Sequence, residues 1–149
     1  MRSLVLMSAL AATLSVAEAA QERYVNARFG YSICVPAGLV GQAESANGDG
    51  QRFDAADGAT LIVYASHNAL EESLADQRAS MIARLGSASY QSGGNDWFVV
   101  SGRSGETIYY ARATLRGGVF TSFEFTYPHA AAARWDAAAR ELSRCFRAR

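Results

Sequence analysis

The chain has 149 residues, of which 50% are apolar, 19% charged and 11% aromatic; its fourteen basic residues, all arginine, balance fourteen acidic ones. This composition is typical of one ordinary globular domain and excludes an intrinsically disordered chain. The zero net charge argues against a nucleic-acid-binding protein, which would carry a basic excess or a basic stripe.

The N-terminal residues 1–19 have the pattern of a signal peptide. Arg2 precedes an apolar run over 4–16, and Ala17 and Ala19 are the small residues, two apart, that signal peptidase reads. The run is shorter than the roughly 20 residues that a helix needs to cross a bilayer. We therefore expect cleavage after Ala19, a periplasmic or secreted protein, and no stable membrane anchor after cleavage. A retained N-terminal anchor is the alternative.

The two cysteines, Cys34 and Cys145, lie near the two ends of the predicted mature chain. In an oxidising compartment, two thiols in one small domain tend to pair. We therefore predict a disulfide between them, with two buried free thiols as the alternative. A catalytic cysteine pair is disfavoured because the sequence contains no Cys-x-x-Cys spacing.

The first half of the mature chain is predicted to contain four strands and a helix. Asn68, with Glu71 three residues later, has the spacing of a helix N-cap, and Gly86 is expected to end this helix. Residues 37–50 are predicted to form a long loop. The strands are expected at 23–27, 31–35, 51–54 and 60–65, and the apolar stripe of the helix at Leu70, Leu74, Met81, Ile82 and Leu85.

The second half is predicted to be mostly strand, followed by a last helix at 130–146. Gly117 and Gly118 indicate a tight hairpin between two long strands. Cys145 falls on the apolar stripe of the last helix, which would face it towards the sheet and Cys34. The strands are expected at 88–91, 96–101, 106–115 and 119–127, and the helix stripe at Trp135, Ala138, Ala139, Leu142, Cys145 and Phe146.

These elements predict an α+β fold in one domain over 20–149. Tight turns between successive strands favour an antiparallel β-sheet of about six to eight strands, on which the two helices pack. The runs at 61–64 and 97–100 are apolar on both faces, which indicates that helices cover both faces of the sheet.

The segment RYVNARFGYSICVP, residues 23–36, resembles the opening hairpin of Mog1/PsbP-like proteins, and the order of elements after it is similar too. This resemblance covers most of the mature chain. It implies an α/β/α-type sandwich used mostly as a binding or accessory module, and it carries over no catalytic residues. The stretch ESANGDG, residues 44–50, also resembles one found in small exported bacterial proteins of unknown role.

Asn47 and Asp49 belong to the segment most like a ligand-binding loop. They fit positions 3 and 5 of an EF-hand, but Ser45 and Ala56 occupy positions 1 and 12, where calcium needs carboxylates. A glycine-rich turn is the favoured interpretation, because Asn and Asp tolerate left-handed backbone conformations. We predict no metal and no cofactor.

Four further residues are candidate contacts for a ligand or partner. His67 and His129 each precede a predicted helix, and two histidines are too few for an ordinary zinc site. Tyr109 and Arg112 lie in an aromatic-rich and arginine-rich part of the sheet, where they could line a groove for a partner or an anionic ligand.

The function predicted from these features is an exported, non-enzymatic binding or accessory protein. Its partner would be an unknown protein or small molecule in the cell envelope, not a nucleic acid. A small secreted hydrolase is one alternative, because catalytic triads are assembled in space rather than in sequence. An inhibitor or immunity-type protein is the other.

The predicted leader can be tested by the mass of the exported protein. Secretion of the full chain should yield a product that begins at Ala20, because Ala19 supplies the small residue before the cleaved bond. Ala19→Arg should accumulate the uncleaved precursor, whereas Glu18→Ala should be processed normally. A secreted wild-type product that retains Met1 would contradict the prediction.

Overall fold

A computed structural model describes residues 22–149, so the leader predicted at 1–19 lies outside the described residues. The fold has three layers: a seven-stranded antiparallel sheet, one helix on one face, and a second helix with a two-stranded hairpin on the other. The α+β class predicted from the sequence is confirmed.

The strands are β1 (Glu22–Val25), β2 (Ser32–Val35), β3 (Val40–Gly41), β4 (Gly50–Asp54), β5 (Thr60–His67), β6 (Ala88–Gly93), β7 (Trp97–Ser104), β8 (Thr107–Arg116) and β9 (Val119–Pro128). The helices are α1 (Leu74–Leu85) and α2 (Ala132–Cys145), and a 3-10 turn at His129–Ala131 precedes α2.

The large sheet has the strand order β3-β4-β5-β9-β8-β7-β6, and β1 pairs only with β2. Its centre is the ladder between β5 and β9, which runs from Thr60 opposite Thr126 to His67 opposite Val119. Gly117 and Gly118 join β8 to β9 with positive φ angles of 54° and 71°, as a type I′ hairpin turn requires. The predicted hairpin is therefore confirmed.

The larger core lies between the central strands, α2 and the β1–β2 hairpin. Trp135 and Leu142 of α2 are fully buried, and the Trp135 ring meets Phe125 of β9 edge-on at 5.6 Å. This geometry is one that aromatic pairs prefer. Burial of each such side chain contributes about 1.5–3 kcal/mol, so this face supplies much of the driving force for folding. Its other large members are Tyr31, Ile33, Phe53, Leu61, Val63, Phe123, Tyr127 and Phe146.

A smaller core lies on the opposite face, under α1. Met81 of α1 is 2% exposed and packs with Phe98 and Val100 of β7 and Ala111 of β8. The central strands are therefore covered on both faces, as the doubly apolar runs predicted. Within residues 22–149, neither helix is long and apolar enough to cross a bilayer.

The first helix begins later than the sequence predicted, so the N-cap assigned to Asn68 and Glu71 is wrong. Ser73 is the N-cap, and with Asp76 it forms a complete capping box. Asn68 instead closes a turn, since its side chain both accepts from the Glu72 amide and donates to the Glu72 carbonyl, each at 2.9 Å. Glu71 has a φ of 53°, which a helix does not allow. Leu70, expected on the apolar stripe, is 82% exposed.

Two other boundaries differ from the prediction. The loop expected at 37–50 contains β3, a two-residue strand that pairs with β4. The helix expected from residue 130 starts at Ala132, because His129–Ala131 forms the 3-10 turn.

Cys34 and Cys145 form a disulfide, as predicted, with their Cα atoms 6.0 Å apart and a sequence separation of 111. The bond joins β2 to the last turn of α2. Beyond it, the C-terminal segment runs beside β2, where Ser32 and Arg147 exchange two backbone hydrogen bonds of 2.9 Å. The N-terminal strand β1 and the C-terminal segment therefore both pair with β2, which the disulfide joins to α2.

Removal of the disulfide should lower the free energy of unfolding by about 2–5 kcal/mol, because the unfolded chain regains the entropy of a long open loop. The comparison is between the oxidised wild type and the Cys34→Ala/Cys145→Ala variant in urea denaturation. Reductant should lower the wild-type midpoint and leave that of the variant unchanged. Equal midpoints for the oxidised wild type and the variant would contradict the prediction.

Candidate functional site

The segment 44–50, which contains the predicted contacts Asn47 and Asp49, is held in place by the β1–β2 hairpin. The Tyr31 hydroxyl donates to the Asp49 carbonyl at 2.8 Å, and the Asn26 side-chain amide donates to the Gly48 carbonyl at 2.9 Å. Asn26 and Tyr31 are both fully buried. Because the donors are immobile, this loop has one fixed conformation.

Asn47 and Asp49 themselves form an Asx turn. The Asp49 amide donates to Asn47 Oδ1 at 3.2 Å, and the Asp49 carboxylate accepts from the Asn47 side chain and pairs with Arg28. The polar atoms of both residues are therefore engaged within the protein and mainly position the loop. In the part of the chain that the structure describes, no three His, Cys, Asp or Glu side chains gather to hold a metal.

His67 lies beside this loop, at the end of β5. The centroid of the His67 ring lies 5.3 Å from that of Phe29, with the two rings tilted by 54°, and the Arg28 guanidinium lies 4.9 Å over the Phe29 ring. The Asp49 carbonyl accepts from the Ala65 amide at 3.0 Å, which ties the loop to the same strand. Three of the six predicted contacts thus come together in one exposed cluster. We call it the β5-end surface, and its members are Arg28, Phe29, Asn47, Asp49 and His67.

The turn that follows β5 carries an exposed apolar side chain. Leu70 lies three residues after His67, in the turn that Asn68 closes on Glu72. Its 82% exposure is the highest among the large hydrophobic residues of the described chain. Leu70 is therefore presented to solvent on a turn whose backbone is fixed by hydrogen bonds.

A groove of about 340 Å³ adjoins the loop on the α1 face of the sheet. Its lining includes Asn47, Asp49, Arg52, Ile62 and Tyr64, and we call it the Tyr64 groove.

Tyr64 anchors a polar network at the edge of this groove. Its hydroxyl donates to Glu124 at 2.7 Å, and Arg84 of α1 binds both oxygens of that carboxylate, at 2.6 and 2.7 Å. Burial, together with the Glu124 charge, raises the pKa of Tyr64, so the phenol stays protonated at neutral pH. Tyr64 therefore offers the groove a hydrogen-bonding phenol rather than a phenolate.

The other three predicted contacts lie elsewhere. His67 pairs with Val119 at the start of β9, whereas His129 follows Pro128 at the end of that strand. At the rise of a β-strand, the length of β9 places the two histidines about 30 Å apart. The two histidines therefore cannot share one site. Tyr109 is 1% exposed and donates its hydroxyl to the Gly86 carbonyl at 2.8 Å, a contact that ties β8 to the end of α1. Arg112 lies on the α2 face, near the end of that helix.

The layer order and the antiparallel sheet define an α+β sandwich. Comparison with solved structures shows that it is the Mog1/PsbP-like fold. The solution structure of cyanobacterial PsbP (CyanoP) from Synechocystis sp. PCC 6803 superposes with a TM-score of 0.65 at 15% identity, covering 94% of this chain and 99% of that one. The Ran-binding protein Mog1p of Saccharomyces cerevisiae has a TM-score of 0.59 at 8% identity, covering 86% of this chain and 95% of that one. No protein-family model and no curated protein sequence matches the chain.

The Glu124 network can be tested by removing its cation. Arg84→Met should lower the free energy of unfolding by about 1–3 kcal/mol, because it leaves a buried carboxylate without its charged partner. Adding Glu124→Gln should recover part of that loss. Urea denaturation of the single and double variants measures both effects.

Arg144→Met is the matched control, since Arg144 pairs with the exposed Glu141 on α2. Its effect should stay within about 0.5 kcal/mol. If Arg84→Met were no more harmful than Arg144→Met, the Glu124 network would not stabilise the fold.

Proposed function

We propose that this protein is an exported, non-enzymatic accessory protein that binds a protein partner in the cell envelope through the β5-end surface and Leu70. The leader pattern at 1–19 supports export, and a disulfide between Cys34 and Cys145 is compatible with an oxidising compartment. The observation that carries the proposal is the 82% exposure of Leu70 in the turn that follows His67.

The shape of this region favours a macromolecular partner over a small molecule. Small ligands are usually enclosed in concave pockets, whereas Leu70 projects from a turn. A projecting apolar side chain is buried only when a partner supplies the pocket for it. The best fit is therefore a protein that offers an apolar pocket to Leu70.

The charges near Leu70 indicate what should surround that pocket. Glu71 and Glu72 follow Leu70 directly, and both are exposed. Basic groups at the rim of the partner's pocket would complement them, which increases the association rate and the specificity.

The rigidity of the region supports tight binding. Asn68 fixes the Leu70 turn, while Asn26 and Tyr31 fix the loop that carries Asp49. Because these groups are already ordered, association would cost little additional conformational entropy. The yeast Ran-binding protein Mog1p shares this fold, which is consistent with a role of the fold in protein binding.

The proposal predicts that Leu70→Asp abolishes capture of the partner. The oxidised chain 20–149 would be immobilised, incubated with an envelope fraction of the producing cells, crosslinked and analysed by mass spectrometry. Leu70→Asp should reduce recovery of the specific partner by about tenfold or more, since a charge would enter an apolar pocket. His67→Asp should reduce recovery as well.

Tyr90→Asp provides the matched control. Tyr90 is 55% exposed and lies on β6, at the edge of the sheet opposite β3. Tyr90→Asp adds the same negative charge as Leu70→Asp, and this variant should capture the partner as well as the wild type does. Capture that is lost equally in Tyr90→Asp and Leu70→Asp, or in neither, would refute the β5-end surface as the binding site.

A further inference from the structure

A second, polar cavity of about 220 Å³ lies where α2 ends, between β8 and the C-terminal segment. Arg112 stands directly opposite Phe123 in the β8–β9 ladder, so its side chain is on the α2 face, away from the Tyr64 groove. The cavity is lined by Arg112, Thr114, Arg116, Phe146, Arg147 and Ala148.

Arg112 is held at this cavity by its neighbours, and one of its buried donors has no acceptor. Its guanidinium lies 5.0 Å over the Trp97 ring, and Nη1 donates to the Ser143 carbonyl at 2.8 Å and to the Ser143 hydroxyl at 3.2 Å. Nε is buried and has no hydrogen-bond partner within residues 22–149. A buried donor without an acceptor costs about 1–3 kcal/mol, so an acceptor from outside the chain would be favoured here.

Two more arginines add positive charge around Arg112. Arg116 pairs with Asp96 at 2.6 Å, while Arg147 donates to the backbone carbonyls of Arg144 and Phe146, at 2.6 and 2.9 Å. Burial, and beyond it the charges of Arg116 and Arg147, lower the pKa of Arg112. Among the described residues, three guanidinium groups thus share a single carboxylate.

A purely structural role explains only part of this arrangement. A cation near the last turn of a helix is favourable, and the Ser143 contacts of Arg112 satisfy that role. That role leaves the buried Nε without an acceptor, although Arg116 and Arg147 have structural contacts of their own, with Asp96 and with the carbonyls of Arg144, Phe146 and Ala148. A bound anion would supply an acceptor for Nε and would offset the positive charge of the three guanidinium groups.

We propose that this cavity binds a small tetrahedral oxyanion, phosphate or sulfate, either free or as the phosphate group of an ester. Guanidinium groups present paired N–H donors that match the oxygen spacing of such anions. The volume suits an ion of this size rather than a large organic ligand. The proposal is independent of the β5-end surface, which other residues form.

The test is a titration of the oxidised chain 20–149 with inorganic phosphate, at constant ionic strength balanced with chloride. Calorimetry and ³¹P line broadening give the dissociation constant. Arg147→Gln should weaken phosphate binding by about tenfold, because it removes a charged donor at the cavity rim. Arg147 also donates to the carbonyls of Arg144 and Phe146, so the thermal midpoint of the variant in chloride should fall slightly, but unfolding should remain cooperative, which separates loss of binding from loss of folding.

Two further variants sharpen the test. Asp96→Asn should tighten phosphate binding, since it removes the carboxylate that neutralises Arg116. Arg103→Gln is the control for charge, because Arg103 is exposed, pairs with Glu106 and lies outside this cavity. It should bind phosphate as the wild type does.

Vesicles distinguish the two sources of the phosphate group. Arg147-dependent sedimentation with phosphatidylglycerol vesicles, but not with phosphatidylcholine, would assign it to a lipid headgroup. Binding of inorganic phosphate without sedimentation would assign it to a soluble ion or ester. The proposal is overturned if neither phosphate nor phosphatidylglycerol vesicles bind the protein detectably above the chloride control. It is also overturned if Arg147→Gln and Arg103→Gln have the same dissociation constant for phosphate.

Discussion

The packing of α2 against the central strands is the constraint on which the rest of the structure depends. Trp135 and Leu142 bury the apolar stripe of the helix on β5 and β9, and this contact determines where the last turn of α2 lies. The disulfide then fixes β2 to that turn. Asn26 and Tyr31 of the β1–β2 hairpin in turn hold the loop that carries Asp49. The position of the β5-end surface therefore depends on α2, although no residue of α2 belongs to that surface. The polar cavity lined by Arg112, Arg116 and Arg147 also depends on the position of α2, because the segment that carries Arg147 directly follows this helix.

The opposite face of the sheet is organised by a charge rather than by apolar area alone. Glu124 is 6% exposed, and a carboxylate at that depth is tolerated only when hydrogen bonds and an opposite charge compensate it. Arg84 and Tyr64 provide both. The network joins α1 to the middle of the sheet and positions the Tyr64 hydroxyl at the neighbouring groove. One polar cluster thereby supports the packing of a helix and the shape of a surface.

Sequence patterns predicted the features that depend on local periodicity. The strand alternation that places Phe123 and Phe125 on one face was visible in the sequence, as was the glycine pair of the last hairpin. The helix start was harder, because Asn68 and Ser73 both have an acidic residue three positions later and only tertiary packing decides between them. β3 was missed because two residues carry no recognisable period.

The candidate site was predictable only in part, for a related reason. Asn47, Asp49 and His67 were found by residue type, but their grouping depends on Arg28 and Phe29, which are distant in sequence. The charge of Glu124 was visible on a strand, whereas its partner Arg84 lies forty positions away on a helix. Long-range contacts of this kind leave no signature in a single sequence.

The disulfide encloses more than the two elements that it joins. The residues between Cys34 and Cys145 include every strand of the large sheet and all of α1. A protease that cut the exposed turn at Gly117 would therefore release no fragment, because both pieces would remain covalently linked through sulfur. In an environment rich in peptidases, a nicked molecule could keep its sheet paired and its surface intact, and only reduction would separate the halves.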